Sequence, residues 1–212
     1  MHTETWTEIT SGDELTALLG EPIQRVRDKA RPALLDVDRD WLAASPFCFM
    51  ATASADGRCD ASPKGDPAGS LVHVIDERTI AIAERLGNRR ADGYRNILDN
   101  PHVGLNFLIP GRGDTLRVNG RARLVSDAPF FDEMVVKGHR PILAVVVDID
   151  ELFFHCAKAF MRSGLWKSET WDPEGRVSRR AVIAQRYEPT GMTLEQLDDH
   201  YRPENYDKGL YA

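Results

Sequence analysis

The sequence predicts a mainly β fold with added helices (α+β), built on an antiparallel six-stranded barrel. Three observations carry that prediction. Segments such as FCFMATAS (47–54), TIAIAE (79–84) and ILAVVVDI (142–149) are short, apolar and rich in strand-forming residues. Tight-turn signals separate several of them, among them Asp56-Gly57, Asp76-Glu77 and the run PGRGD. No βαβ alternation and no glycine-rich dinucleotide loop is present, which sets a doubly wound parallel sheet aside.

The elements follow in order. Residues 1–46 read as a helical N-terminal extension, with Asp13 capping a helix through Leu19 and Asp38 capping a second one that Ser45-Pro46 ends. The core, 47–166, opens with a hairpin whose returning arm, RCDASPKGDPAG, is short and rich in Gly and Pro. LVHVID and TIAIAE form the next hairpin. RADGYRNILDN (90–100) then has helical spacing at Tyr94, Ile97 and Leu98 before Pro101 stops it. HVGLNFLI and TLRVNGRARLV read as strands, with Asn119-Gly120 a bulge or turn. FFDEMVVKG reads as a short helix closed by Gly138. ILAVVVDI is a strand, and LFFHCAKAFMRSGLW (152–166) runs into a helix. The C-terminal extension, 167–212, is expected to pack on the same domain as a linker or mobile loop (167–181), a strand VIAQRY (182–187) and an acidic helix from Thr193.

Bulk properties narrow the function classes. At 42% hydrophobic and 28% charged residues, the chain can close a core without disulfides or metals. Three cysteines cannot all pair and form no CxxC, which suits a reducing compartment. The start is acidic and polar, unlike a secretory signal, and no apolar run reaches the roughly 20 residues a bilayer demands. A cytoplasmic protein is expected, with no membrane contact. The net charge of -6 argues against nucleic acid as a partner and makes any local arginine cluster conspicuous.

One such cluster lies in TIAIAERLGNRRADGYRNILDNP (79–101). A strand ends, Gly87 permits a sharp turn, and Asn88, Arg89 and Arg90 stand at the entrance of a helix. Two guanidinium forks beside the unpaired N–H groups of a first helical turn suit a phosphate monoester. An arginine pair is also a common solvated surface feature, and spacing alone leaves both readings standing. His155 and Cys156 are adjacent, with no second ligand set at zinc spacing, so no metal site and no catalytic side chain is assigned.

The strand–GNRR–helix–Asn-Pro layout resembles the phosphate loop of the pyridoxamine 5′-phosphate oxidase family. The run from FCFMATASADGRCDASPKGDPAG through TLRVNGRARLV resembles that superfamily's flavin-binding core. PKGDPxG, GNRR, PGRGxTLRVNGxA and HCAKAFxRSxLW are similar to a branch described as FMN-dependent. The resemblance implies a split β-barrel that binds FMN at the interface of a homodimer and acts on a small-molecule substrate. It implies Arg89 and Arg90 as phosphate ligands beside Asn88, and places Ser62, Pro63, Lys64 and Gly65 along the flavin, with Lys64 facing ring and substrate. Ala83 and Glu84 match a strand end that contacts ring and ribityl chain. Thr115 and Arg117 match polar contacts that often come from the second subunit. Lys158, Arg162 and Trp166, spaced by four, would offer one basic, aromatic stripe to the ring or to an anionic substrate.

The chain departs from the oxidases in its tail, which does not supply their Arg-x-His segment for the vitamin B6 phosphate. The leading expectation is an FMN-dependent oxidoreductase passing hydride between an organic or nicotinamide donor and an acceptor such as oxygen. Rival expectations are a non-catalytic flavin-storage module, a deazaflavin-using relative, a haem protein using His73, His102 or His155, and a dimeric scaffold with an empty pocket.

Overall fold

The structure is a computed structural model and describes residues 6–85, 87, 89–172 and 177–211. The chain divides into two units, Met1–Ala30 and Arg31–Ala212. In the first, helix α1 (Gly12–Leu19) is capped by Ser11, whose Oγ accepts from Glu14 N at 3.2 Å, so the cap lies two residues ahead of the expected Asp13. Helix α2 (Gln24–Arg27) follows.

The second unit begins with helix α3 (Asp36–Ala44), which buries Trp41 and Leu42. It starts earlier than Asp38 suggested. The Asp38 carboxylate still reaches back to Leu35 N at 2.8 Å, and it also accepts both arms of the Arg31 guanidinium, at 2.6 and 2.9 Å. Asp38 is fully buried, and that two-pronged pairing is what makes its burial tolerable.

Seven strands, one more than expected, form a single antiparallel sheet: β1 (Phe47–Ala53), β2 (Cys59–Gly65), β3 (Val72–Val74), β4 (Thr79–Glu84), β5 (His102–Leu108), β6 (Thr115–Val125) and β7 (Leu143–His155). Their spatial order is β2-β1-β5-β6-β7-β4-β3. Alternation explains which face each strand buries. Cys48, Met50 and Thr52 of β1 point inward, as do Val103, Leu105 and Phe107 of β5 and Leu116 and Val118 of β6. The first five residues of β4 are all buried because both of its faces are covered. Ile80 and Ile82 join the main core, while Ala81 and Ala83 pack on Phe131 and Met134. The sheet curls into a half-barrel, so that β2 and β4 approach each other across its mouth.

Four local expectations are corrected. The strand expected at 142–149 continues through His155 as one long β7, because Asp150 is accommodated as a bulge where the register shifts between Asn119/Glu151 and Gly120/Ile149. Gly120 is required there, since a Cβ would sit 2.2 Å from Asp148 O. FFDEMVVKG is a 3-10 turn over Pro129–Met134 followed by a two-residue hairpin turn. Lys137 (φ 51) and Gly138 (φ 82) both take the left-handed conformation that such a turn demands. VIAQRY is not a strand but lies in α6 (Arg180–Tyr187), because Ala181 and Ala184 share one helical face and bury it against Leu197 of α7 (Leu194–His200). Thr193 caps α7 in a capping box with Gln196. The last correction concerns HCAKAFMRSGLW. Only Lys158–Ser163 (α5) is helical, and Gly164 (φ 62) ends it before Trp166. No described helix is long and apolar enough to cross a membrane.

Candidate cofactor-binding cleft

A cleft of about 390 Å³ opens between the end of β2, the end of β4 and the N-terminus of helix α4 (Asp92–Asp99). Its size falls in the range of ~300–1,000 Å³ usual for cofactor sites. Each wall has a local cause. On β2, alternation turns Asp60, Ser62 and Lys64 toward one side and Ala61, Pro63 and Gly65 toward the other. β2 is an edge strand, which is where a proline without an N–H fits. Helix α4 lies close because residue 93 is glycine: a Cβ there would meet Asp60 Oδ2 at 2.8 Å.

The inner end of the cleft is held by three side chains. Lys64 Nζ donates to Glu84 Oε2 at 2.9 Å, the Tyr94 hydroxyl donates to the same oxygen, and Lys64 also hydrogen-bonds that hydroxyl. The Lys64 ammonium stands 4.5 Å from the Tyr94 ring centroid. Behind Lys64, burial pushes the Cys48 thiol up to about 12, with the nearby ammonium opposing weakly. Cys48 is therefore a packing residue and not a nucleophile.

The outer end carries Arg90 and the start of α4, with the Asp60 and Asp92 carboxylates beside them. Ala91, Asp92, Gly93 and Tyr94, the start of α4, face the cleft, and no side chain caps that helix. Its first N–H groups and the positive end of its dipole are thus directed where an anion would bind. Arg90 lines the same region and hydrogen-bonds Asp92, which holds the Asp92 carboxyl below the usual carboxylate range. Arg89 is exposed and has φ 61, a left-handed conformation that turns the chain sharply into the helix.

The structure gathers Ser62, Pro63, Lys64, Gly65, Ala83, Glu84 and Arg90 around this one cleft. Arg89 flanks it without lining it, and Asn88 lies outside the described residues. The remaining expected residues stand elsewhere. Thr115 is buried at the start of β6, opposite His155. Arg117 is on the outer face of the sheet, 5.2 Å from the Phe153 ring, in a depression shared with Phe49, Asn106 and Asn119. The stripe expected of Lys158, Arg162 and Trp166 is not formed, because the helix stops at Gly164. Trp166 instead stacks on Phe160 at 5.8 Å and donates to Arg112 O at 2.7 Å. His73, His102 and His155 do not line the cleft.

Sequence reasoning missed Tyr94, Gly93 and Asp60 as site residues. Tyr94 read only as part of an apolar helix face. Nothing local in the sequence says that its hydroxyl meets a carboxylate from β4.

The fold is thus a half-barrel of antiparallel strands whose open edge carries a lysine-lined cleft and an uncapped helix start. The family model for pyridoxamine 5′-phosphate oxidase matches residues 34–156, more than half of the chain, and this chain belongs to that family. No curated protein matches it. Among solved structures, HupZ of Group A Streptococcus is 17% identical, with 57% of this chain and 93% of that chain covered, at a TM-score of 0.46. An FMN-binding protein from Syntrophomonas wolfei is 14% identical, with coverage of 57% and 89%, at a TM-score of 0.42. General Stress Protein 26 from Bacillus anthracis is 13% identical, with coverage of 55% and 88%, at a TM-score of 0.42.

Proposed function

We propose that this protein is an FMN-dependent oxidoreductase. It would pass hydride or electrons between a small organic or nicotinamide substrate and an acceptor such as oxygen. The observation that carries the reading is the polarity of the cleft: an uncapped helix start with Arg90 at one end, and Lys64 against Glu84 and Tyr94 at the other. A flavin mononucleotide presents the matching ends, a phosphate and a polar ring. When bound, FMN supplies the hydride and electron chemistry. The chain's own residues hold and orient it, with Arg90, Arg89 and the α4 N–H groups on the phosphate. Ser62 to Gly65 and Ala83 would lie along the rest of the ligand, with the Lys64 ammonium adding positive charge at the polar end.

The assembly is read as a homodimer with the cofactor at its interface. Thr115, Arg117, Lys158, Arg162 and Trp166 do not line the cleft of their own chain, and the family resemblance assigns the β6 contacts to a second subunit. The outer face near Arg117 supports this: Asn106 Oδ1 is buried there without a hydrogen-bond partner, a group an incoming donor would satisfy.

The test is the absorbance spectrum of the purified protein, with mass spectrometry of the ligand released on denaturation and anaerobic titration with reduced nicotinamides. Yellow protein that releases FMN and is bleached by a nicotinamide is expected. A colourless protein that takes up no FMN overturns the reading, and bound FMN that no donor reduces points to a storage module instead. Gel filtration at low concentration tests the dimer.

A further inference from the structure

The loop that carries Arg89 and Arg90 begins at Arg85, which lines the cleft and is tied from behind by a buried network. Asp66 follows β2 directly and its side chain is 1% exposed. Its Oδ2 accepts from Arg85 Nε at 2.7 Å, and its Oδ1 accepts from the Tyr211 hydroxyl at 2.9 Å. Arg85 also donates to two backbone carbonyls, from Nη2 to Met134 O at 2.8 Å and from Nη1 to His139 O at 3.4 Å. The Tyr211 ring covers the pair, 5.8 Å from the Arg85 guanidinium and 5.2 Å from the Lys137 ammonium. Burial, and then the hydrogen bond to Asp66, raise the Tyr211 phenol above its ordinary value, so it stays a donor across the physiological range.

Every polar atom of the Asp66 carboxylate therefore has an assigned donor, and one of the two comes from a residue 145 positions away in the chain. A buried carboxylate that loses a donor must recruit another or shift. Apart from the Tyr211 hydroxyl, the side chain bonded to this carboxylate is the Arg85 fork, so a shift of the carboxylate is passed to the first residue of the loop that carries Arg89 and Arg90.

We propose that Tyr211, Asp66 and Arg85 are positioning residues for the phosphate-binding loop, and that the C-terminal segment is thereby part of the cofactor site. This rests on the flavin reading given above. Its distinctive consequence is selectivity. The network fixes the loop that meets the phosphate, whereas Lys64, Glu84 and Tyr94 at the other end of the cleft are held by their own bonds. Weakening the network should cost affinity for FMN and spare riboflavin, which lacks the phosphate.

The experiment compares the full-length wild type with Tyr211→Phe, which keeps the ring and removes one hydroxyl. Dissociation constants for FMN and for riboflavin are measured by fluorescence quenching, alongside the melting temperature. A roughly three- to tenfold loss for FMN, unchanged riboflavin binding and a melting temperature lowered by only a few degrees, about 2–4 °C per kcal/mol, are expected. Equal losses for the two flavins would reduce the network to general scaffolding and overturn the proposal, as would unchanged binding of both. A wild type that binds neither flavin overturns the flavin reading, and this inference falls with it. A wild type that prefers FMN, matched by an indistinguishable Tyr211→Phe, overturns this inference alone.

Discussion

Lys64 and Glu84 lie on strands separated by four others in the sheet, yet their side chains meet at 2.9 Å. The contact closes the mouth of the half-barrel. Asp66 and Arg85 repeat it just beyond the strand ends with the charges exchanged, at 2.7 Å. The two pairs together hold β2 against β4, and the cleft lies between that seam and helix α4.

Breaking the first pair should be felt in both stability and chemistry. Lys64 and Glu84 side chains are 13% and 23% exposed, so screening by water is limited. Glu84→Ala leaves the ammonium without its carboxylate and should cost about 1–3 kcal/mol in denaturant unfolding. Lys64→Met removes a positive charge from the polar end of the cleft. The potential of bound flavin should become more negative, by about 30 mV for each ~1.4 kcal/mol of lost stabilisation of the reduced form. Spectroelectrochemical titration reads this directly, and an unshifted potential would remove Lys64 from the flavin's surroundings.

Arg90 and Asp92 predict opposite effects at the outer end. Arg90→Ala should weaken FMN roughly ten- to a hundredfold, as loss of a charge-assisted phosphate contact does, and flatten the salt dependence of binding. Asp92 competes for the same guanidinium and places a carboxylate in the cleft. Asp92→Asn should therefore bind FMN more tightly than the wild type. Isothermal titration at two salt concentrations distinguishes these outcomes from a solvated, functionless arginine.

Cys48 predicts an alkaline limit to stability. Its folded pKa, about 12, stands above that of an unfolded thiol. Below the unfolded value the thiol is protonated in both states and costs nothing. Between roughly 9 and 12 only the unfolded chain gives up the proton, so stability falls by about 1.4 kcal/mol per pH unit from this group. Urea unfolding at pH 8 and pH 10 should therefore differ by about 1.4 kcal/mol from this group, and Cys48→Ala should remove that difference. In the native protein, Cys59 and Cys156 are exposed and should react with iodoacetamide while Cys48 does not.

Gly120 predicts a backbone failure. A Cβ 2.2 Å from Asp148 O cannot be relieved by turning a side chain, so β6 and β7 must separate at the bulge. Gly120→Ala should destabilise by about 3 kcal/mol, measurable as a lowered melting temperature.

Elements written in local chemistry were legible. Asp56-Gly57 marked the first hairpin, Pro101 the end of α4, and Thr193 the start of α7, because each acts on its immediate neighbours. The errors came where a partner decided the outcome. Val182 and Ile183 are intrinsically strand-prone, but Ala181 and Ala184 found a face to bury on α7, and burial outweighed propensity. The helix expected to carry Trp166 stopped at Gly164 because a left-handed residue ended it, and the indole bonded a loop carbonyl instead.

By itself, then, the sequence determined the antiparallel strands, their turns and the Asn-Arg-Arg loop ahead of a helix, since periodicity and turn chemistry are properties of neighbouring residues. The tertiary structure alone decided that Lys64 would meet Glu84 and Tyr94, that Asp66 would pair with Arg85, and that Tyr211 would reach back to Asp66. Those contacts depend on the curl of the sheet, which sums the twist and register of seven strands and is encoded at no single position.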